Sequence, residues 1–317
     1  MQDRKIYIGF LGIVMGLMAV VLLSCHGNGK AVERTTYRNG ALSDTIKRIA
    51  ADYPGEIGVA VIIDGKDRVS VNDENKYPMM SVFKLHQALA VCHDFDKKGL
   101  SLDSAMTITR RELNPHTWSP MAKEHAEQEF ILPVRELLRY TLISSDNNAS
   151  NLMFRRLVGT EVTDGYIATL IPRESFRIEY TEEEMSADHA RAYVNSSSPL
   201  GAALLMERLF ADSLVSREKQ DFIKRALGEC RTGNDRIAAP LLNKPGVKIA
   251  HKTGSGYSEG GVLAAHNDVA YVSLPDGHHY TLAVFVKDFK GDETAAAEAI
   301  ARISAAVYNH ITRGPSK

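Results

Sequence analysis

The strand-forming segments of this chain are split between its two ends. Glu56 to Asp64 is rich in β-branched residues, and Asp64-Gly65-Lys66-Asp67 turns it back into Arg68–Val71 as a hairpin. Strand patterns return from Lys248 onward, over Lys248–Ser255, Asp268–Leu274 and Tyr280–Lys287. Ser258-Glu259-Gly260-Gly261 and Pro275-Asp276-Gly277 read as the loop or turn signals between them. In the long middle, Ser81 to about Cys230, the pattern is mostly helical. Val134–Leu142 and Leu200–Leu209 carry apolar residues near the i, i+3, i+4 spacing. An amphipathic helix is expected over Leu42–Tyr53, with Ile46, Ile49 and Ala50 on one stripe and Ser43 available as its cap. An alanine-rich helix over Glu293–Ile311 closes the chain. This order predicts an α/β (α+β) fold: one antiparallel sheet assembled from both chain ends, flanked by terminal helices, with the helical block as an inserted lobe. Residues 42–79 plus 236–313 would form the α/β lobe and residues 80–235 the helical lobe, together as one unit.

The first 25 residues read as a targeting segment. Arg4 and Lys5 give a positive start, Ile6 to Leu23 is apolar, and Leu22-Leu23-Ser24-Cys25 resembles a bacterial lipobox. On that reading Cys25 is lipidated, and the mature protein is exported to the periplasm and tethered to the membrane. An ordinary signal peptide or a single-span anchor are the alternatives.

The chain has 317 residues, 44% hydrophobic and 24% charged, enough for one large or two small globular domains. Its formal net charge is -1 and it has no basic stripe interleaved with aromatics, so nucleic acid is not an expected partner. Monomeric behaviour is the expectation. Beyond Cys25 two cysteines remain, Cys92 and Cys230. An oxidising compartment would permit a disulfide, but Cys92 sits in an apolar helical run and reads as a buried, inert thiol. The histidines show no H-x-H or H-E-x-x-H spacing. His278 and His279 are adjacent in a hairpin turn that would send their side chains to opposite faces, so no zinc site is expected.

Three short motifs converge on one chemistry: Ser81-Val82-Phe83-Lys84, Ser145-Asp146-Asn147 and Lys252-Thr253-Gly254. Each alone is weak, but the three in this order are a strong signal. Ser81 and Lys84 are i and i+3 on one helix face, so the amine can reach the hydroxyl. A serine hydroxyl is a poor nucleophile without an adjacent base. Ser145 adds a second hydroxyl that can relay a proton, and Lys252 supplies positive charge for an anionic substrate. This is the equipment of an acyl-transfer enzyme.

The motif set resembles that of class A serine β-lactamases, over roughly Leu42 to Thr312. The finer likeness is to an extended-spectrum cephalosporinase branch. Arg177 to Ser186 resembles the family's E-x-x-L-N loop, with Glu182 at the catalytic glutamate, Met185 at the leucine, and Ser186 where most members have asparagine. The resemblance implies a β-lactamase/transpeptidase-like fold with the site between the lobes. It makes Ser81 the nucleophile, and Lys84 and Glu182 the candidate bases. Ser145 becomes the proton relay, and Asn147 a donor to the substrate amide. Backbone N–H groups of Ser81 and Ser255 would form the oxyanion hole. Lys252, Thr253 and Ser255 would bind the carboxylate of a β-lactam. Many members add an arginine on the strand after K-T-G. Tyr257 to Asp268 contains no Lys or Arg, and Arg236 matches the position other members use instead. Trp118 aligns with an aromatic residue at the cleft rim, and Ser186 would help position the hydrolytic water. No metal or cofactor is implied. The expected substrates are cephalosporins and penicillins, with antibiotic resistance as the outcome. The long segment Ala187–Pro199 and the Ser255-Gly256 border suggest room for bulky side chains. The rivals are a penicillin-binding transpeptidase or carboxypeptidase, and a β-lactam sensor lipoprotein that acylates and stalls.

Overall fold

A computed structural model describes the backbone of residues 28–313 and the side chains of residues 39–313; the expected lipidation site at Cys25 lies outside the described residues. The N-terminal helix, α1, spans Asn28–Ala51. Ser43 therefore lies inside it rather than capping it. The stretch before Leu42 is polar and carries no apolar period, so nothing local marks the earlier start. The helix stops short of Tyr53 because Pro54 disfavours helical backbone in the residue before it. Leu42, Ile46 and Ile49 form its buried stripe.

The hairpin expected near the N-terminus forms as β1 (Glu56–Ile63) and β2 (Asp67–Val71), with Val61 opposite Val69. The C-terminal strands are β3 (Lys248–Ser255), β4 (Ser258–Glu259), β5 (Val262–Ser273) and β6 (His279–Phe289). They pair antiparallel in the order β2-β1-β6-β5-β3, with β4 hydrogen-bonded to β5. Both chain ends thus build one sheet, as the segment order predicts. The strand expected from Asp268 begins at Val262, and the Ser258–Gly261 loop signal is a tight hairpin with a short strand of its own. Ala264, Ala265, His266 and Asn267 have little intrinsic strand preference, and burial between layers holds them extended.

Strand β1 is apolar on both faces, and each face has its own core. Ile57, Val59 and Val61 meet α1 and the C-terminal helix α8 (Glu293–Thr312) through Ile46, Ile300, Ile303 and Val307. Ala60 and Ile62 belong to the larger core with the helical block. Asp292 caps α8 by accepting from Ala295 N at 2.8 Å. The helical block holds α2 (Phe83–Lys98), α3 (Val134–Ile143), α4 (Asn147–Arg156), α5 (Glu182–Ala187), α6 (Pro199–Ala211) and α7 (Arg217–Gly228), joined by shorter turns and strands. The described chain from Arg38 onward clusters as one compact unit. Cys92 and Cys230 are free thiols.

His278 and His279 do not diverge. Both ring Nδ1 atoms approach Asp64, at 2.7 and 3.8 Å, because the β5–β6 turn folds over the β1–β2 turn. His279 Nε2 also reaches Glu207 at 3.1 Å. Among the described residues no cluster of His, Cys, Asp or Glu is arranged to hold a metal ion.

Candidate active site

Met80–Val82 forms one 3₁₀ turn that runs directly into α2. Ser81 and Lys84 thereby lie one turn apart, with Lys84 Nζ 2.9 Å from Ser81 Oγ. Met80 sits at φ 46, in the left-handed region, which costs a residue with a Cβ roughly 1–2 kcal/mol. The surroundings hold it there: Met79 N donates to Asn195 O at 2.8 Å, and Val82 N to Met79 O at 3.1 Å. Strand β3 presses on this turn. A Cβ at Gly254 would lie 2.3 Å from Met79 O and 3.3 Å from Ser81 N. Glycine in the third motif is therefore what lets the strand lie against the backbone of Ser81.

Lys84 is fully buried, and a buried cation is tolerable only when paired. Its Nζ is within 2.8 Å of Ser145 O, 2.6 Å of Asn147 Oδ1 and 2.8 Å of Glu182 Oε1. Ser145 itself takes φ 58, which turns its carbonyl to Lys84 and leaves its Oγ to accept from Lys252 Nζ at 3.0 Å. Asp146 does not enter the cleft. It caps α4 through Ala149 N (2.9 Å), accepts from Met121 N (2.8 Å), and binds the Ser119 hydroxyl. Burial pushes its carboxyl up, and those donors offset only part of the rise. Asn147 Nδ2 donates to Thr117 Oγ1 at 2.8 Å.

The acidic run Glu182-Glu183-Glu184 separates by helix geometry, since neighbouring residues on a helix face different ways. Glu184 closes a capping box with Thr181, and Glu183 meets Arg155 at 3.0 Å. Glu182 turns inward: its Oε1 accepts from Ser81 Oγ at 2.9 Å and from Lys84 Nζ at 2.8 Å. Ser81 Oγ thus touches both an amine and a carboxylate. Asn195, fully buried, braces this loop by accepting from Glu179 N and Tyr180 N and donating to Tyr180 O. Its own carbonyl receives Met79 N, so one residue ties the glutamate loop to the serine turn. Ser186 is exposed on α5, four residues after Glu182 and so on the same side of the helix.

On the opposite wall Lys252 is fully buried on edge strand β3. Burial, reinforced by the nearby Lys84 and Arg236 charges, brings its amine down to about 7 against the pull of Cys230 and Glu182. Thr253 Oγ1 lies 2.6 Å from Thr232 Oγ1. Arg236, almost fully buried, donates to Gly254 O (3.1 Å), Asn267 O (2.7 Å) and Ser255 Oγ (2.6 Å). Its acidic neighbour Asp235 is 4.0 Å away and mostly exposed, so the guanidinium is held by the strands and not by an ion pair. Behind β3, His251 pairs with buried Asp268 at 3.0 Å. Burial would lower that imidazole, but Asp268 and Cys230 raise it to about 10. At the rim, Trp118 is 54% exposed and its Nε1 donates to Ser144 O at 2.8 Å. In the Ala187–Pro199 segment, His189 stacks on Tyr257 at 3.6 Å between ring centroids.

The sequence-derived residues Ser81, Lys84, Ser145, Asn147, Glu182 and Lys252 form one hydrogen-bonded cluster, with Thr253, Ser255 and Arg236 along the adjoining strand. Asn195, Asn267, Thr117 and Thr232 were invisible to motif reasoning. Each acts on a residue far away in sequence, and no local pattern marks it.

The chain's likeness to known proteins agrees with this geometry. A family model described as "Beta-lactamase enzyme family" matches residues 41–311. A "Beta-lactamase" of Phocaeicola vulgatus is 57% identical over 310 residues, covering 97% of this chain and 97% of the relative. A solved class A β-lactamase from Bacteroides cellulosilyticus superposes with a TM-score of 0.82 at 29% identity, covering 87% of this chain and 99% of that one. The solved TLA-3 extended-spectrum β-lactamase has a TM-score of 0.82 at 31% identity, over 86% of this chain and 99% of that one. A serine held between an amine and a carboxylate, in a chain with these relatives, places this protein in the β-lactamase family as a class A serine β-lactamase.

Proposed function

We propose that this chain hydrolyses cephalosporins and penicillins through an acyl-enzyme on Ser81. The observation that carries this reading is the position of Glu182 Oε1, within hydrogen-bond reach of both Ser81 Oγ (2.9 Å) and Lys84 Nζ (2.8 Å). Ser81 Oγ attacks the lactam carbonyl and its proton passes to Glu182, the carboxylate it already donates to. Lys84 stabilises the charge that develops, and the N–H groups of Ser81 and Ser255 receive the oxyanion. The lactam C–N bond breaks, and Ser145 Oγ delivers the proton to the leaving nitrogen. Lys252 restores that proton across their 3.0 Å contact. Lys252, Thr253 and Ser255, with Arg236 behind Ser255, bind the substrate carboxylate. Asn147 donates to the side-chain amide, and Trp118 lines the rim.

Once acylated, Ser81 Oγ has no hydrogen left to give; the proton taken up by Glu182 returns through solvent to Lys252, and the Glu182 carboxylate is then free to accept from a water. Ser186, on the same side of α5, supplies that water's second contact. The extended-spectrum function named for the TLA-3 relative, 31% identical, favours bulky cephalosporins among the substrates. The protein works as a monomer, exported to the periplasm and held to the membrane by lipid on Cys25. That anchor is tested by fractionating cells that express the wild type and Cys25→Ala. The same soluble distribution for both would rule it out.

The catalytic reading is tested with Glu182→Gln. Losing a general base costs ~10²–10⁴-fold, so release should stall and intact-mass spectra should show a trapped cephalosporin adduct. Turnover of a chromogenic cephalosporin at the wild-type rate by this variant would overturn the assignment. A wild type that itself acylates and stalls would favour the transpeptidase or sensor reading.

A further inference from the structure

The serine turn is strained, and something must hold it against β3. Met79 N and Val82 N fix one side through Asn195 O and Met79 O. The other side is fixed by a side chain that carries no charge and belongs to no motif. Asn267, fully buried on β5, donates from Nδ2 to Pro78 O at 2.8 Å and to Met79 O at 3.2 Å. Its Oδ1 accepts from Val286 N on β6 at 3.2 Å, which fixes the amide's orientation. Its backbone carbonyl receives Arg236 Nη1 at 2.7 Å. In the sheet it stands directly opposite Gly254, the residue whose missing Cβ lets β3 reach Met79 O.

We propose that Asn267 is a positioning residue for the reaction: it sets the distance between the backbone N–H of Ser81 and that of Ser255, and so shapes the oxyanion hole. The proposal rests on Ser81 being the nucleophile. Its physical basis is the peptide between Met79 and Met80. That peptide is fixed by what its carbonyl binds, and Met80 at φ 46 relaxes when the hold is lost, because left-handed backbone at a residue with a Cβ persists only where the surroundings over-determine it. Relaxation rotates the Met80–Ser81 peptide and with it the Ser81 N–H. The strand-borne N–H of Ser255 stays in place. Tetrahedral species then meet one aligned donor instead of two, while the carboxylate-binding wall is untouched.

The test compares purified wild type with Asn267→Ala, Asn267→Ser and Asn267→Asp. A lost oxyanion donor costs ~10²–10³-fold and a misaligned one less, so Asn267→Ala should acylate ~10- to 100-fold more slowly, with KM changed by about threefold or less. Affinity for a phenylboronic acid, which forms a tetrahedral adduct, should fall in the same proportion as acylation. Asn267→Ser keeps one donor and should lie between. Asn267→Asp places a carboxylate against two carbonyls. It should be the slowest at pH 8 and recover toward pH 5, relative to wild type, as the carboxyl gains a proton to donate. Variants that only melt earlier, yet acylate and bind the boronate within about twofold of wild type, would overturn the proposal. So would an Asn267→Asp profile parallel to the wild type's. Should the wild type form its adduct on a residue other than Ser81, the nucleophile reading fails instead, and peptide mapping of that adduct tells the two failures apart.

Discussion

Replacing Arg236 with alanine separates a substrate-binding charge from a structural prop. The guanidinium makes three contacts, to Gly254 O (3.1 Å), Asn267 O (2.7 Å) and Ser255 Oγ (2.6 Å). The first two join carbonyls of residues directly opposite each other on β3 and β5. Their loss acts on stability, at about 1–3 kcal/mol for each carbonyl left without its donor. The third contact faces the cleft. A hydrogen bond to a charged group is worth ~1.5–3 kcal/mol, so removing it should lower kcat/KM roughly 10- to 150-fold, mostly through KM. The assay is steady-state hydrolysis of a chromogenic cephalosporin, run beside its carboxylate ester. With the ester the wild-type advantage over Arg236→Ala should shrink to a few-fold, because the anion that the guanidinium attracts is gone. Arg236→Lys keeps a charge but cannot span three acceptors, and should fall between. An Arg236→Ala enzyme that melts earlier but keeps wild-type kcat/KM would refute the carboxylate role. An equal loss on acid and ester would refute it too.

Two further outcomes follow from the ionisable groups behind β3. With Lys252 brought down to about 7, its positive charge is present below that pH and lost above it, so KM for a carboxylate-bearing cephalosporin should rise about 10-fold by pH 8; a flat KM from pH 6 to 9 would refute this. Burial works against the Cys230 thiolate, but the His251 contact and the Lys252 charge bring the thiol to about 7, whereas burial pushes Cys92 up to about 12. An aromatic disulfide reagent at pH 8 should therefore label the folded enzyme at Cys230 and reach Cys92 only on unfolding, and a fast phase that survives Cys230→Ala would contradict the assignment.

Much of the scaffold was legible because it rests on local signals. An Asp-Gly turn between β-branched runs gave the β1–β2 hairpin, and an alanine-rich period gave α8. The motifs gave the residues of the hydrogen-bonded cluster because such chemistry is carried by residue type and short spacing. Two features were hidden. The early start of β5 runs through Ala264, Ala265, His266 and Asn267, extended by burial and not by preference. The left-handed backbone at Met80 and Ser145 falls on residues that give no sign of it. The choice among three successive glutamates was legible from the spacing to Met185, and the Thr181 capping box supplies its physical reason by fixing the rotation that turns Glu182 inward.

Ser145 shows how such hidden backbone features become function. Its φ of 58 points the carbonyl and the hydroxyl to different cations, Lys84 at 2.8 Å and Lys252 at 3.0 Å. An ordinary helical or extended backbone at this position would send both groups elsewhere. The residue therefore links Lys84, which also holds Glu182, to Lys252, through its carbonyl on one side and its hydroxyl on the other. The Lys252 charge beside this hydroxyl favours the alkoxide and so makes its proton easier to give up. In the proposed reaction a proton donor to the departing lactam nitrogen needs that property, and the backbone geometry contributes to it as much as the serine itself.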